Sequence, residues 1–189
     1  LKAASVPMKA MILLGVNCAY GNNDIAQLPL SALDLEGGWA TFPRVKNGNP
    51  RRAKLWPETV APLKAVLAAR PAPLAGDDQD AVFITTFGNR WCDGKTDSVG
   101  LQFGKLLRKL KLKRPGRAFY ALRKTFRTEA DASQDFPAVR LVMGHCDEHA
   151  MDSVYRQRID DSRLEAVANH VHRWLFAKPK RSKRKGGAK

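Results

Sequence analysis

The residues of this chain best equipped for chemistry are an arginine, a histidine, a tyrosine and a lysine, and the arginine is of a kind suited to binding phosphate. Between Gly104 and Arg127 the sequence holds ten Lys or Arg and no acid. Phe119, Tyr120, Leu122 and Phe126 interleave with these charges, so the Arg123 side chain starts from a helix anchored in a core. A guanidinium held on a rigid helix suits bidentate contact with phosphate oxygens, because its donors lie in a fixed planar fork. His145 follows Gly144, a residue that ends helices well. Tyr155 offers a phenol, a nucleophile whose ordinary pKa of about 10 calls for help in losing its proton. Lys46 adjoins the turn signal Asn47-Gly48-Asn49-Pro50. Each residue type has a plainer reading too: a solvated charge for Arg123, a half-buried core tyrosine, a histidine capping helix carbonyls, a hairpin lysine.

Placing these groups together requires elements that the apolar pattern supplies. Pro7 to Ala19 reads as a buried helix, with Met8, Met11, Ile12 and Gly15-Val16 at its apolar positions. Gly21-Asn22-Asn23-Asp24 breaks it, and Asn23 or Asp24 is expected to cap a short helix carrying Ile25 and Leu28, with Pro29 near its end. Gly37-Gly38 predicts a turn, Trp39 to Val45 a strand, the Asn-Gly signal a tight hairpin, and Arg51 to Leu55 the returning strand. Pro57 and Glu58 open a helix to about Ala69, Arg70 to Asp80 forms a surface loop, and Val82 to Thr86 is a brief strand. Helical periodicity then runs from Ser98 to about Leu112, Tyr120 to Ala132, Pro137 to Met143 and Ser162 to Phe176. The fold class expected is α+β, a mainly helical domain over 1–177 with a small antiparallel sheet, followed by a disordered basic tail over 178–189. There is no βαβ alternation and no glycine-rich phosphate loop, which disfavours nucleotide-binding folds.

Charge narrows the partner. The chain of 189 residues carries a net charge of +15; its last twelve residues hold seven Lys or Arg and no acid, and the remainder keeps +8. A basic body and a basic tail together favour nucleic acid. No apolar run approaches the roughly 18 to 20 residues of a membrane span, and Met8 to Ala19 is interrupted by Lys9, Gly15 and Asn17. Cys18, Cys92 and Cys146 make no CxxC pair and no zinc spacing with the histidines, so they read as free thiols in a reducing cytoplasm. His149, His170 and His172 read as surface or packing residues. The chain opens at Leu1 and reads as a piece of a longer protein.

The order of the signals carries a resemblance. Tyr120-Ala-Leu-Arg123-Lys-Thr-Phe-Arg127, then Leu141-Val-Met-Gly144-His145, then Tyr155 resembles the last third of the tyrosine recombinase catalytic domain. That family (phage integrases among it) has a His-x-x-Arg box opening a helix, a Leu-x-Gly-His motif and a nucleophilic tyrosine shortly after. Upstream, the run from Ile25 to Leu35 is similar to the family's first box. Phe42-Pro-Arg44-Val-Lys46-Asn-Gly48-Asn-Pro-Arg51-Arg52 is similar to its lysine-bearing β-hairpin. The resemblance is collinear over roughly residues 8 to 176.

The resemblance implies phosphoryl transfer on double-stranded DNA with no metal or cofactor and no small-molecule substrate. Tyr155 would attack a phosphodiester and form a 3′-phosphotyrosyl intermediate. Arg123 and His145 would hold the phosphate, Lys46 would protonate the leaving oxygen, and Tyr120 would donate a hydrogen bond. Lys124, Arg127, Arg44, Arg51 and Arg52 are expected to line the DNA. A homotetramer on DNA, a cytoplasmic, nucleoid-associated location and an N-terminal core-binding domain lying outside this chain follow in the same way. The helix Ser162 to Phe176 either completes this domain's core or docks on a neighbouring protomer.

Three departures bear on activity. The first box normally reads Gly-x-Arg-x-x-Glu, and here Ala19-Tyr20-Gly21-Asn22-Asn23-Asp24 puts Gly21 where the first catalytic arginine belongs. Losing one such donor costs on the order of 10²- to 10³-fold in rate. Tyr120 stands for the usual His or Lys, and His145 to Tyr155 spans ten positions rather than nine, consistent with an extra loop residue in Asp147 to Met151. A catalytically impaired, DNA-binding descendant is therefore the second expectation, and a basic RNA- or ribosome-binding protein the third.

Overall fold

The computed structural model describes residues 1–92, 96–145 and 158–177. Among them are seven α-helices and one three-stranded antiparallel sheet, the mainly helical α+β class expected. Helix α1 (Val6–Asn17) runs through the middle of the core, with Met8, Ala10, Met11, Leu13, Leu14 and Val16 all buried. An apolar surface on nearly every side lets α3 (Pro57–Ala68) and α5 (Ala121–Asp131) pack on it together. Gly15 permits the close approach of α5: a Cβ there would lie 3.0 Å from Leu122 Cδ1. Asn17 closes the end of α1, donating to Lys54 O at 2.9 Å and accepting from Trp56 N and Thr59 Oγ1, each at 2.9 Å. That one buried amide fixes α1, β3 and the start of α3 to one another.

The sheet order is β1 (Leu33–Asp34), β2 (Trp39–Thr41), β3 (Arg52–Lys54), with Ala40 opposite Ala53. Both strands of the hairpin are shorter than expected. Pro43 has no N–H to offer a ladder, and beyond Phe42 N, which donates to Arg51 O at 3.2 Å, the chain opens into a wide tip closed by Arg44 N donating to Asn49 O at 2.8 Å. Gly48 takes the left-handed conformation (φ 70) that the tip needs. The strand expected over Val82 to Thr86 does not form. Isolated bridges at Pro29–Ala81 and Ile84–Arg90 stand there instead, because no neighbouring strand continues the pairing.

The remaining helices are α2 (Asn22–Ala26), α4 (Ser98–Lys109), α6 (Phe136–Met143) and α7 (Asp161–Phe176). Helix α6 ends at Gly144 in the left-handed conformation (φ 62), the stop read from the sequence. Helix α7 buries Leu164, Val167, Ala168 and Val171 in this chain's own core, and Ala168 O accepts from Trp56 Nε1 at 2.9 Å. Among the described residues no helix is long and apolar enough to cross a membrane. The basic tail over 178–189 lies outside the described residues.

Candidate active site

The site is built where the end of α1, the first turn of α2, the hairpin, the start of α5 and the end of α6 meet. Its foundation is Asp24. Gly21 caps α2, and its N–H donates to Asp24 Oδ2 at 2.8 Å, so the carboxylate folds back over the helix start. Asp24 Oδ1 accepts from Arg51 Nη2 at 3.0 Å and from Val45 N at 3.3 Å, which ties the hairpin to α2. Arg51 also donates through Nε to Phe42 O at 2.9 Å, and its guanidinium lies 4.5 Å from the Tyr20 ring centroid. A Cβ on Gly144 would come within 2.7 Å of Arg51 Cδ and 2.9 Å of Arg44 Cβ, so only glycine lets α6 end against the hairpin. Asn49 Nδ2 completes that junction by donating to Gly144 O at 3.2 Å.

Arg123 forms the floor. It is 2% exposed, and its donors are directed by the chain turns around it. Nη1 donates to Ala19 O at 2.5 Å, a carbonyl turned inward because Ala19 leaves α1 in the left-handed conformation (φ 56). Nη2 donates to Met143 O at 2.7 Å and meets His145 Nε2 at 3.0 Å. A guanidinium cannot accept, so in this contact the imidazole accepts at Nε2 and its proton resides on Nδ1. Nε of Arg123 is buried with no hydrogen-bond partner among the described residues. Burial first, and the charge of Arg44 next, hold its pKa below the usual guanidinium range, but an arginine remains a cation throughout the physiological range.

Above the floor lies a cleft of about 270 Å³ whose walls include Gly21, Asn22, Asp24, Arg44, Lys46, Tyr120 and Arg123. Four of the residues singled out in the sequence (Arg123, Tyr120, Lys46 and Arg44) line this one cleft, and His145 touches Arg123 at its edge. They come from positions 44 to 145, and the packing of α1 against α5 and of α6 against the hairpin gathers them. Tyr155 lies outside the described residues. Gly21 has an ordinary backbone (φ −86), and a Cβ on it would lie 3.4 Å from Asp24 Oδ2 and 3.9 Å from the Tyr120 ring, facing the cleft.

The other basic residues divide. Arg51, expected against DNA, is a correction: its side chain is fully buried on Asp24 and unable to reach a ligand at the surface. Arg52 is held by both oxygens of Asp161, at 2.8 Å each, and lies over the Trp39 ring at 4.2 Å, joining β3 to the start of α7. Arg127 pairs with Asp131 one helical turn on, at 2.7 Å, while Lys124 is exposed. Sequence reasoning missed the role of Asp24, read only as a helix cap. Its signal was present: an acid three residues after the capping Gly21, with an arginine on the hairpin opposite a chemistry-bearing lysine. Among the histidines, His172 packs between Trp56 and Phe176 and meets Glu58 at 3.0 Å, a packing residue as read.

Known structures share this architecture. XerA recombinase superposes with a TM-score of 0.64 at 18% identity, over 95% of this chain and 60% of its own. The Tn1549 transposon integrase in complex with circular intermediate DNA gives 0.59 at 16%, over 86% and 59%. XerH site-specific recombinase bound to its difH substrate in a pre-cleavage complex gives 0.59 at 20%, over 86% and 46%. No protein-family model and no curated protein matches the sequence. The chain has the fold of the recombinase and integrase catalytic domain, the tyrosine recombinase type that its motifs resemble. It spans about 60% of the XerA recombinase chain.

Proposed function

We propose that this chain is the catalytic domain of a site-specific DNA recombinase or integrase that cuts and rejoins double-stranded DNA through Tyr155. The observation that carries the reading is that Arg44, Lys46, Tyr120 and Arg123 line one cleft, with His145 on the Arg123 guanidinium. A phosphodiester in that cleft would place its non-bridging oxygens toward Arg123, and negative charge building on them is where fixed donors stabilise most. The Tyr155 oxygen would bond to phosphorus as the bond to the 5′ oxygen breaks. The phenol passes its proton to solvent water, and the leaving oxygen takes one from Lys46 at the hairpin tip. The 5′ hydroxyl so formed can reverse the step and rejoin a strand, with the energy of the phosphodiester kept in the phosphotyrosine. Oligomerisation on DNA and nucleoid association belong to the same reading.

A nicked duplex that loses its short 5′-hydroxyl fragment after cleavage would trap the covalent adduct. The adduct is expected with the present chain and absent from Tyr155→Phe; an unchanged yield in Tyr155→Phe removes the tyrosine from the mechanism. DNA affinity should fall steeply with salt, because phosphate contacts release counterions. Gly21 favours a second reading, a DNA-binding descendant that no longer cuts. Cleavage separates the two: an adduct formed by the unaltered chain excludes the second reading, and an adduct gained only in Gly21→Arg assigns the loss of cutting to position 21.

A further inference from the structure

We propose that Arg44 supplies the second guanidinium of the phosphate site, reaching from the hairpin into the place left by the arginine that position 21 lacks. The inference rests on the reading of the cleft as a DNA phosphate site. Arg44 is fixed at its root from three directions. Its N–H donates to Asn49 O at 2.8 Å, and its carbonyl accepts from Asn47 N at 3.2 Å and Gly48 N at 2.8 Å. The next N–H, of Val45, goes to Asp24 Oδ1 at 3.3 Å, and the Arg44 Cβ abuts the end of α6 at Gly144.

The head group is treated differently from the root. Arg51, Arg52, Arg90, Arg127, Arg158 and Arg163 each lie on an aspartate. Among the described residues the Arg44 guanidinium has no carboxylate partner; it lines the cleft with Arg123, Lys46, Tyr120 and Asp24, and the Asp24 carboxylate is already paired with Arg51. Its charge is felt at Arg123, where it acts with burial against the charged form. Two cations held near each other in a partly desolvated cleft repel, and an anion between them removes that cost. A phosphodiester offers two non-bridging oxygens, one for each fork. Gly21 lines the same cleft, and a Cβ on it would lie 3.4 Å from Asp24 Oδ2 and 3.9 Å from the Tyr120 ring, so a side chain at position 21 and the Arg44 side chain share one cleft.

The test has two arms that let the recombinase reading and this inference fail separately. In single-turnover cleavage at saturating protein, Arg44→Ala is expected to slow the reaction about 10²- to 10³-fold. Arg44→Lys should recover only part of that rate, because an ammonium cannot bind two oxygens in a plane. Arg44→Ala combined with Gly21→Arg should restore most of it, since an arginine returns to the same cleft from position 21. An Arg44→Ala rate equal to that of the unaltered chain overturns the inference and leaves the recombinase reading standing. If the unaltered chain forms no adduct, strand cutting fails as a reading and the second arm decides. Inorganic phosphate added to arginine-labelled protein should then shift the Nε–H resonances of Arg44 and Arg123 along one saturation curve. Movement of Arg123 alone, or of neither, overturns the inference.

Discussion

Arg51 and Arg123 are both buried arginines at the junction of α1, the hairpin and α6, and only one of them is neutralised. Arg51 is 1% exposed and meets the carboxylate of Asp24, so its charge is cancelled inside the protein. Arg123 is 2% exposed and meets two neutral carbonyls and an imidazole, so its charge is left over. A cancelled buried charge serves position: it locks the hairpin to α2. A surplus buried charge is costly in a monomer without ligand and is offset when an anion arrives. The same residue type at the same depth is thus structural in one case and a candidate ligand-binding group in the other, and the difference lies in the partner rather than in the arginine.

The largest effect should come from cutting the neutral pair. Arg51→Met leaves the Asp24 carboxylate buried with only backbone donors, and breaking a buried ion pair from one side costs about 3–5 kcal/mol. Urea denaturation should show that loss, and Arg51→Met with Asp24→Leu should regain much of it by removing the stranded charge. A loss under about 1 kcal/mol would place the pair among weak surface bridges and undo the contrast. Arg123→Met should do the reverse. It strands the Ala19 and Met143 carbonyls, at about 1–3 kcal/mol each, but also removes a surplus cation, so it should destabilise less than Arg51→Met. Cleavage of the nicked duplex should drop by about 10²- to 10³-fold. Equal destabilisation with cleavage retained would mean that Arg123 is the structural arginine.

Next in size is Gly144→Ala, which presses on both arginines at once. The position has φ 62, and the added Cβ would sit 2.7 Å from Arg51 Cγ and Cδ. A non-glycine residue forced into the left-handed region costs about 1–3 kcal/mol, and the clash must be relieved by moving the hairpin or the α6 end. Because His145 follows directly and meets Arg123, the cleavage rate should fall more than the stability loss alone explains. Thermal unfolding and single-turnover cleavage measured on one preparation would check this. A stability loss with an unchanged rate would mean that the junction does not position the site.

Most of the fold was legible from apolar spacing. The helix over Ala121–Asp131 and the glycine stop after Met143 follow from periodicity and one residue's conformational freedom, both local properties. The cleft was legible only through motif order, because no local pattern says that Lys46 and Arg123 meet. Arg51 was misassigned for the same reason. A hairpin arginine beside other basic residues reads as surface charge until Asp24, which precedes it by 27 positions, is known to be its neighbour. The strand expected over Val82 to Thr86 failed because apolar β-branched content says nothing about whether a partner strand is present.

The smallest expected effect concerns the pair that matches Arg51–Asp24 in residue type but not in depth. Arg52 makes two 2.8 Å bonds to Asp161, with side chains 35% and 50% exposed. Those bonds hold the Asp161 carboxyl below its usual range, a shift that desolvation partly opposes. A depressed carboxylate pKa contributes stability that is complete above the unfolded pKa of about 3.9 and is lost as pH falls through the folded value. The contribution is therefore constant from neutrality down to mildly acidic pH and disappears only in strong acid. Water and salt screen an exposed pair, so Asp161→Asn should cost no more than about 1 kcal/mol, less still in high salt. Denaturation with and without added NaCl would check it. If Asp161→Asn proved as damaging as Arg51→Met, burial would not be what separates a strong arginine–aspartate pair from a weak one in this molecule. The surplus charge of Arg123 would then need an explanation other than its lack of a carboxylate partner among the described residues.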